Sequence, residues 1–360
     1  MPSVDARFWV GFQHVRRIGP VRLKRLIDRF GSISDAWVAP QSELRTVLDE
    51  ASVESIARVR ASLDLDREME RIERLGIDVL TLADAAYPAL LREVPNPPAV
   101  LYLKGAIVDA DVKAVGMVGT RRCTGYGRQV AASMAEDFAR AGVTVVSGLA
   151  LGIDGQAHRG ALAGGGRTIA VLGSGVDLVY PSSHRDMAAQ IVENGAIISD
   201  YSPGTKPDAR NFPPRNRIIA GLSRGVVVVE APVRSGALIT VDFAADYGRD
   251  VFCVPGNVQS ELSAGCHAVI RDGGRLVTSA ADVLEDLGMT VPAPGTAVQQ
   301  TFPMSDEERH LVNHIRWDPQ HIDEIAVSAG FTSPQASALL TLLELKGAIR
   351  DAGGQHYVRC

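Results

Sequence analysis

The chain has 360 residues, 46% of them hydrophobic and 22% charged, with a formal charge of −5. That length exceeds what one hydrophobic core usually serves, so two or three domains are expected. The acidic balance excludes a protein that coats nucleic acid by bulk electrostatics, while leaving room for a local basic groove. No apolar run approaches the ~20 residues that span a bilayer, and Asp5 and Arg7 stand where a secretion signal would be apolar. No membrane association and a cytoplasmic location are therefore expected. Cys123, Cys253, Cys266 and Cys360 form no C-x-x-C pair, which argues against structural zinc.

Residues 1–64 alternate apolar and basic residues at helical spacing. Ile18-Gly19-Pro20 interrupts the pattern, 21–30 resumes it, and Gly31-Ser32 stops it. This predicts a helix-hairpin-helix-like domain. Its basic residues Arg16, Arg17, Arg22, Lys24, Arg25 and Arg29 face only Asp28 over that stretch. They form either a clamp on a phosphate backbone or the solvated face of a helical packing domain. A charged helix at 65–75 and a proline-rich passage through Pro88, Pro95, Pro97 and Pro98 make 65–110 a connecting segment.

From 111 to 288 short apolar runs alternate with glycine turns and helical segments. The runs lie at 115–118, 143–146, 168–172, 196–199, 226–229 and 251–254, and the helices include 129–141, 183–193 and 240–247. This order predicts a Rossmann-like three-layer α/β core. Residues 289–304 lack periodicity and read as a linker. Beyond it, helices at 305–316, 321–329 and 333–346 precede a hairpin about Gly353-Gly354, the order of a winged-helix-like domain at 305–360. Ser305 and Glu308 have capping-box spacing. The supposed recognition helix offers only Gln335 and one basic residue, which favours a protein contact or accessory role over base readout.

The turns that follow the strands carry the chemistry. In a doubly wound sheet ligands sit beyond the strands' carboxyl ends, where backbone N–H groups and helix N-termini suit phosphate. Val118-Gly119-Thr120-Arg121-Arg122 combines a sharp turn, a hydroxyl and arginines. Arg121 there is either a forked phosphate ligand or the partner of a sheet-edge carboxylate. SGLALGID contributes Gly148 and an Asp154 able to cap the next helix; IAVLGSGVD contributes Gly173 and Gly175. His158 is a site residue or a packed histidine. In FPPRNRIIAG, Arg215, Asn216 and Arg217 open a helix with no acidic residue between Asp208 and Glu230. Arginines there oppose the helix dipole, a cost a bound anion would offset. VVVVE leads to Ser235-Gly236, a further turn with a hydroxyl.

Spacings of the G-x-G-x-x-G and G-x-x-x-x-G-K-[ST] kinds are absent, as are G-x-S-x-G and H-E-x-x-H. No catalytic residue, metal or cofactor is expected. An aromatic content of 5% disfavours a long stacking platform. Phosphate contacts with a few stacked bases suit the surface better.

VGTRRCTGYG, SGLALGIDGQAH, TIAVLGSGVDLVYPSSH, FPPRNRIIAGLS, SGALITVDFAADYGRDVFCVPG and GCHAVIRDGGRLV together resemble, in order and spacing, the DNA-processing protein A (DprA/Smf) family. The resemblance is close over 87–287. It implies an extended Rossmann core that binds single-stranded DNA, protects it and loads RecA onto it in natural transformation. It also implies a homodimer and dealings with single-strand-binding protein. The implied DNA-binding set is Gly119, Thr120, Arg121, Arg122, Gly148, Gly173, Gly175, Arg185, Arg215, Asn216, Arg217, Ser235 and Gly236. Arg185 enters because the family's lysine after Tyr-Pro is replaced here by Ser182, leaving Arg185 as the nearest cation. Two other classes stay open. One is a nucleoside-monophosphate phosphoribohydrolase on a related core, whose P-G-G-x-G-T turn is missing at 230–236. The other is a scaffold that recruits partners through its tail.

Overall fold

The computed structural model describes residues 5–289, 304–316, 319–346 and 348–359. It divides into two units, Met1–Val291 and Pro292–Cys360. Residues 290–303, most of the expected linker, lie outside the described residues.

The first unit is built on a nine-stranded sheet. Its strands are β1 (Asp78–Thr81), β2 (Val100–Gly105), β3 (Ala114–Val118), β4 (Thr144–Ser147), β5 (Thr168–Val171), β6 (Gly195–Ser199), β7 (Gly225–Val228), β8 (Asp250–Cys253) and β9 (Arg275–Leu276). Their spatial order is β1-β2-β6-β5-β4-β3-β7-β8-β9. Neighbours from β6 to β9 run parallel, and β1 and β2 pair antiparallel at one edge. Strands β3 to β7 are buried along their whole lengths. That is why their sequences read as unbroken apolar runs rather than alternating ones.

Successive side chains still face opposite layers. Val115 and Met117 pack with Met134 and Phe138 of the helix Gly125–Arg140, and with Ile153 and Ala157 of Ile153–Ala163. Ala114 and Val118 pack with Ile218 and Ile219 of the helix Phe212–Leu222 on the other face. A third cluster joins the N-terminal helices, through Trp9, Phe12 and Leu26, to Val79, Val100 and Tyr102. The stretch 65–110 is thus more than a connection. It contributes the helix Leu65–Arg74 and the two antiparallel strands that carry the N-terminal helices.

From β3 the chain steps through β4 and β5 to β6 in one direction; β7, β8 and β9 lie on the other side of β3. The connections leaving β3 and β7 diverge, and a crevice opens at their carboxyl ends. No helix among the described residues is long and apolar enough to cross a membrane.

In the second unit, helices Asp306–Asn313, Ile322–Ala329 and Ser333–Leu345 pack around Leu311, Ile325, Leu340 and Leu343. Strands β10 (Gln320–His321), β11 (Ile349–Gly353) and β12 (His356–Arg359) form an antiparallel sheet in the order β10-β12-β11. The capping box is present: Glu308 N–H donates to Ser305 Oγ, and Ser305 N–H to Glu308 Oε2. Gln335 is likewise occupied, accepting from Thr332 at the start of its helix. Lys346 Nζ donates to both oxygens of the buried Glu308 at 2.7 Å.

The Lys346 hydrogen bond leads the causes that hold the Glu308 carboxyl below its usual range. Its stabilising contribution is therefore present above the ordinary carboxylate pKa and lost as pH falls through the lowered one. Lys346→Met should lower the urea midpoint of the winged-helix transition in the full chain at neutral pH. The gap from wild type should close on acidification, once the carboxyl is protonated in both proteins. A gap independent of pH would mean that the pair adds packing rather than charge.

Candidate nucleic-acid interface

The crevice at the β3–β7 switch holds a cavity of about 610 Å³. Its floor is the loop after β3. Gly119 is required there, because a Cβ would lie 2.5 Å from Ile153 and 2.8 Å from the Glu230 carbonyl. Thr120 N–H donates to that carbonyl at 2.7 Å, and Thr120 Oγ1 accepts from Arg122 N–H at 3.2 Å. Gly152, at φ 79°, lets the next helix start against the Thr120 carbonyl, to which Ile153 N–H donates at 3.2 Å. The buried Glu230 carboxylate secures the far side of the loop, accepting from Thr124 N–H at 2.9 Å and Thr124 Oγ1 at 2.6 Å.

On this rigid loop Arg121 and Arg122 are exposed. The Arg121 guanidinium lies 5.0 Å from the Phe212 ring centroid, and the Tyr180 ring is 6.0 Å from Phe212 at 33°. Guanidinium, phenyl and phenol thus form a short ladder along one wall. The opposite wall carries Asn216, whose amide donates to the Gly236 carbonyl at 3.0 Å, and Ser235, whose hydroxyl accepts from Ala237 N–H. A floor of hydroxyl, backbone and guanidinium groups beside the half-exposed Tyr180 ring can hold phosphate and stack a base.

The cavity is lined by Gly119, Thr120, Arg121, Arg122, Arg215, Asn216, Ser235 and Gly236. The other expected site residues lie elsewhere, and Arg215 does not point outward as expected. It is 3% exposed. Its Nη1 donates to the carbonyls of Gly148 (2.8 Å) and Val171, and its Nε to Asn216 Oδ1 at 3.3 Å. Burial pulls its pKa down to about 10, despite the attraction of Asp154. Gly148 exists to admit it, since a Cβ would sit 2.5 Å from the guanidinium.

Arg217 turns to the other side of its helix and pairs with Asp200 at 2.5 Å and the Asn96 carbonyl at 2.6 Å. The acidic partner missing from its own segment comes instead from the loop after β6. Gly173 packs beneath Phe212, and Gly175 under the loop at 202–204. Arg185 borders a separate depression with Lys104 and Lys206 rather than the 119–122 edge. The buried His184 before it, held to the Leu149 carbonyl at 3.0 Å, leaves Arg185 on the outer face of its helix.

Asp154 does not cap its helix from the N-cap position, which is Gly152. It sits in the first turn and reaches back to Gly148 N–H at 3.1 Å, with burial raising its pKa against the pull of Arg215. His158 is packed: Nδ1 faces Thr168 Oγ1 at 2.7 Å, and burial drives its pKa down to about 3. Among the described residues no group of three or more His, Cys, Asp or Glu is placed to hold a metal ion. Sequence reasoning passed over Phe212, Tyr180 and Glu230. Signals were available, since Phe212 opens the arginine-rich motif and Glu230 is a carboxylate ending an otherwise apolar strand.

Fold and crevice define a Rossmann-like α/β protein with an arginine–aromatic groove at its switch point, combined with a winged-helix unit. The chain belongs to the DNA recombination-mediator protein A family, whose model matches residues 78–288; the DprA winged helix domain matches 280–355. It is 34% identical to Protein Smf of Synechocystis over the full length of both chains. It is 43% identical to DNA processing protein DprA of Streptococcus pneumoniae over 57% of this chain and 73% of that one. The solved structure of the pneumococcal protein matches with a TM-score of 0.70 at 33% identity, covering 78% of this chain and 97% of that one. DNA processing protein A from Helicobacter pylori, whose structure is described for its single-stranded DNA binding mode, matches at TM-score 0.53 and 28% identity. The match covers 59% of this chain and 95% of that one.

Proposed function

We propose that this protein is a recombination mediator that binds single-stranded DNA in the switch-point groove, protects it and loads RecA onto it during natural transformation. It acts as a homodimer in the cytoplasm, on strands also bound by single-strand-binding protein. The observation that carries the reading is the Arg121–Phe212–Tyr180 ladder above a loop tied down by Glu230. Such a wall takes unpaired bases, which a duplex hides in its stack. No catalytic step belongs to this reading. The buried ionisable groups beside the groove are already engaged, Asp154 by backbone N–H groups and Glu230 by Thr124. The phosphoribohydrolase alternative is not favoured by the family match.

Single strands should bind better than duplex. With roughly four to six phosphates neutralised per site, log affinity should fall with log salt at a slope of about −3 to −4. Equal affinity for both forms at moderate salt would sink the reading. The decisive assay is RecA filament formation on strands precoated with single-strand-binding protein. Stimulation is expected. Its absence, together with release of base from nucleoside monophosphates, would install the hydrolase instead, and retention of loading after deletion beyond Met289 would dismiss the scaffold reading.

A further inference from the structure

The N-terminal hairpin carries a basic surface that the groove does not use. Helices Ala6–Gln13 and Pro20–Phe30 are joined by a turn in which Arg17 takes φ 73°. Arg16, Arg17 and Arg25 are exposed, and among the described residues none of them has an ion-pair partner. The nearest carboxylates are bonded to other cations, Asp49 to Arg22 at 2.7 Å and Asp28 to Lys24 at 3.4 Å, and Asp49 reaches Arg17 only through space. Exposed guanidinium groups without ion pairs on one hairpin make a local positive field that attracts a polyanion.

Arg17 and Arg25 border a depression of about 390 Å³ together with Gly19, Pro20, Val21, Arg22 and Asn96, and Arg16 precedes Arg17 on the turn beside it. Gly19 has no side chain with which to cap the second helix, so no N-cap side chain meets the N–H groups of Val21 and Arg22 at its positive end. The lining is cationic and contains no aromatic ring. Here it differs from the groove, with its Phe212 and Tyr180. A surface with donors for phosphate and nothing on which to stack a base fits a backbone whose bases are already stacked on each other.

We propose that the N-terminal hairpin is a second nucleic-acid contact, gripping the phosphodiester backbone of a DNA duplex through Arg16, Arg17, Arg25 and the backbone N–H groups of Val21 and Arg22. The contact is independent of sequence and weaker than the groove's hold on a single strand. The two surfaces share a structural element: Asn96, at the rim of the depression, accepts from Arg217 of the helix that also supplies Phe212 to the groove.

The test is a double dissociation in the full-length protein, titrated separately with a short blunt duplex and with a single-stranded oligonucleotide. Arg16→Glu/Arg25→Glu should lower duplex affinity at least about tenfold at low salt and flatten its salt slope by about 2, leaving single-strand affinity within about twofold. Arg58→Glu/Arg159→Glu makes the same charge change at exposed positions off the hairpin and should alter neither. Arg121→Ala should do the reverse of the hairpin variant, so a failed groove reading remains distinguishable from a failed hairpin. If the reversed pair does not fold, Arg16→Gln/Arg25→Gln should show a smaller loss of the same kind. Unchanged duplex binding, an equal loss in the control, or a matching loss of single-strand affinity would overturn the proposal.

Discussion

Replacing Arg121 by alanine is expected to weaken single-strand binding at least about tenfold while leaving the fold intact. The side chain is exposed and rests on the Phe212 ring at 5.0 Å, with Asp154 and Arg215 felt only through space. Its removal orphans no buried group, since Asp154 keeps Arg215 and the backbone N–H groups of Gly148 and Ala150. What is lost is a charge-assisted phosphate contact of about 1.5–3 kcal/mol, together with the cation that orders the ladder. Arg121→Lys should rescue only part of this, because an ammonium supplies charge but neither the planar fork nor a flat face for Phe212. Phe212→Ala should also weaken binding, but with an unchanged salt slope, since a stacked base carries no counterion. Normal affinity and an unchanged slope in Arg121→Ala, measured by titration across a salt series, would reassign Arg121 to a structural role.

Arg215→Ala should produce the opposite pattern, a loss of stability of about 3 kcal/mol. Its guanidinium is inside the protein, bonded to two strand-end carbonyls and close enough to Asp154 for mutual attraction. Its removal takes the guanidinium from both carbonyls and leaves the buried Asp154 only the more distant Arg121 as cation. Arg215→Lys should recover little, because one ammonium cannot span the carbonyls of Gly148 and Val171 along with Asn216 Oδ1. Urea denaturation reads the loss directly. A variant as stable as wild type but defective in DNA binding would show that Arg215 serves the strand rather than the wall.

The difference between these neighbouring arginines marks where sequence reading stops. Strand positions were legible because strands buried on both faces cannot avoid a continuous apolar run, as at 115–118 and 226–229. The loop after β3 was legible because a sharp turn with no room for a Cβ leaves glycine, and Gly119 stands there. Arg215, Asn216 and Arg217 read as one cluster, yet a helix turns each residue about 100° from the last. One therefore enters the wall, one reaches the Ser235-Gly236 turn, and one leaves for Asp200. Arg185 read as a neighbour of the 119–122 edge for the same reason: linear proximity to Tyr180 does not say which helix face a side chain takes.

By itself, then, the sequence determined the layered α/β core, the winged-helix order beyond it, the family and the sheet edge at which the proposed groove opens. Each of these follows from local periodicity or from motifs short enough to survive as strings. The tertiary structure alone decided which cations remain free. Asp200 and Arg217 are 17 residues apart and Glu230 and Thr124 are 106 apart, so their pairing depends on how the β6–β5–β4–β3–β7 order folds distant loops onto one edge. It also brought Phe212 and Tyr180 together across 32 residues, their rings tilted at 33°, turning two scattered aromatics in an aromatic-poor chain into the wall of a groove.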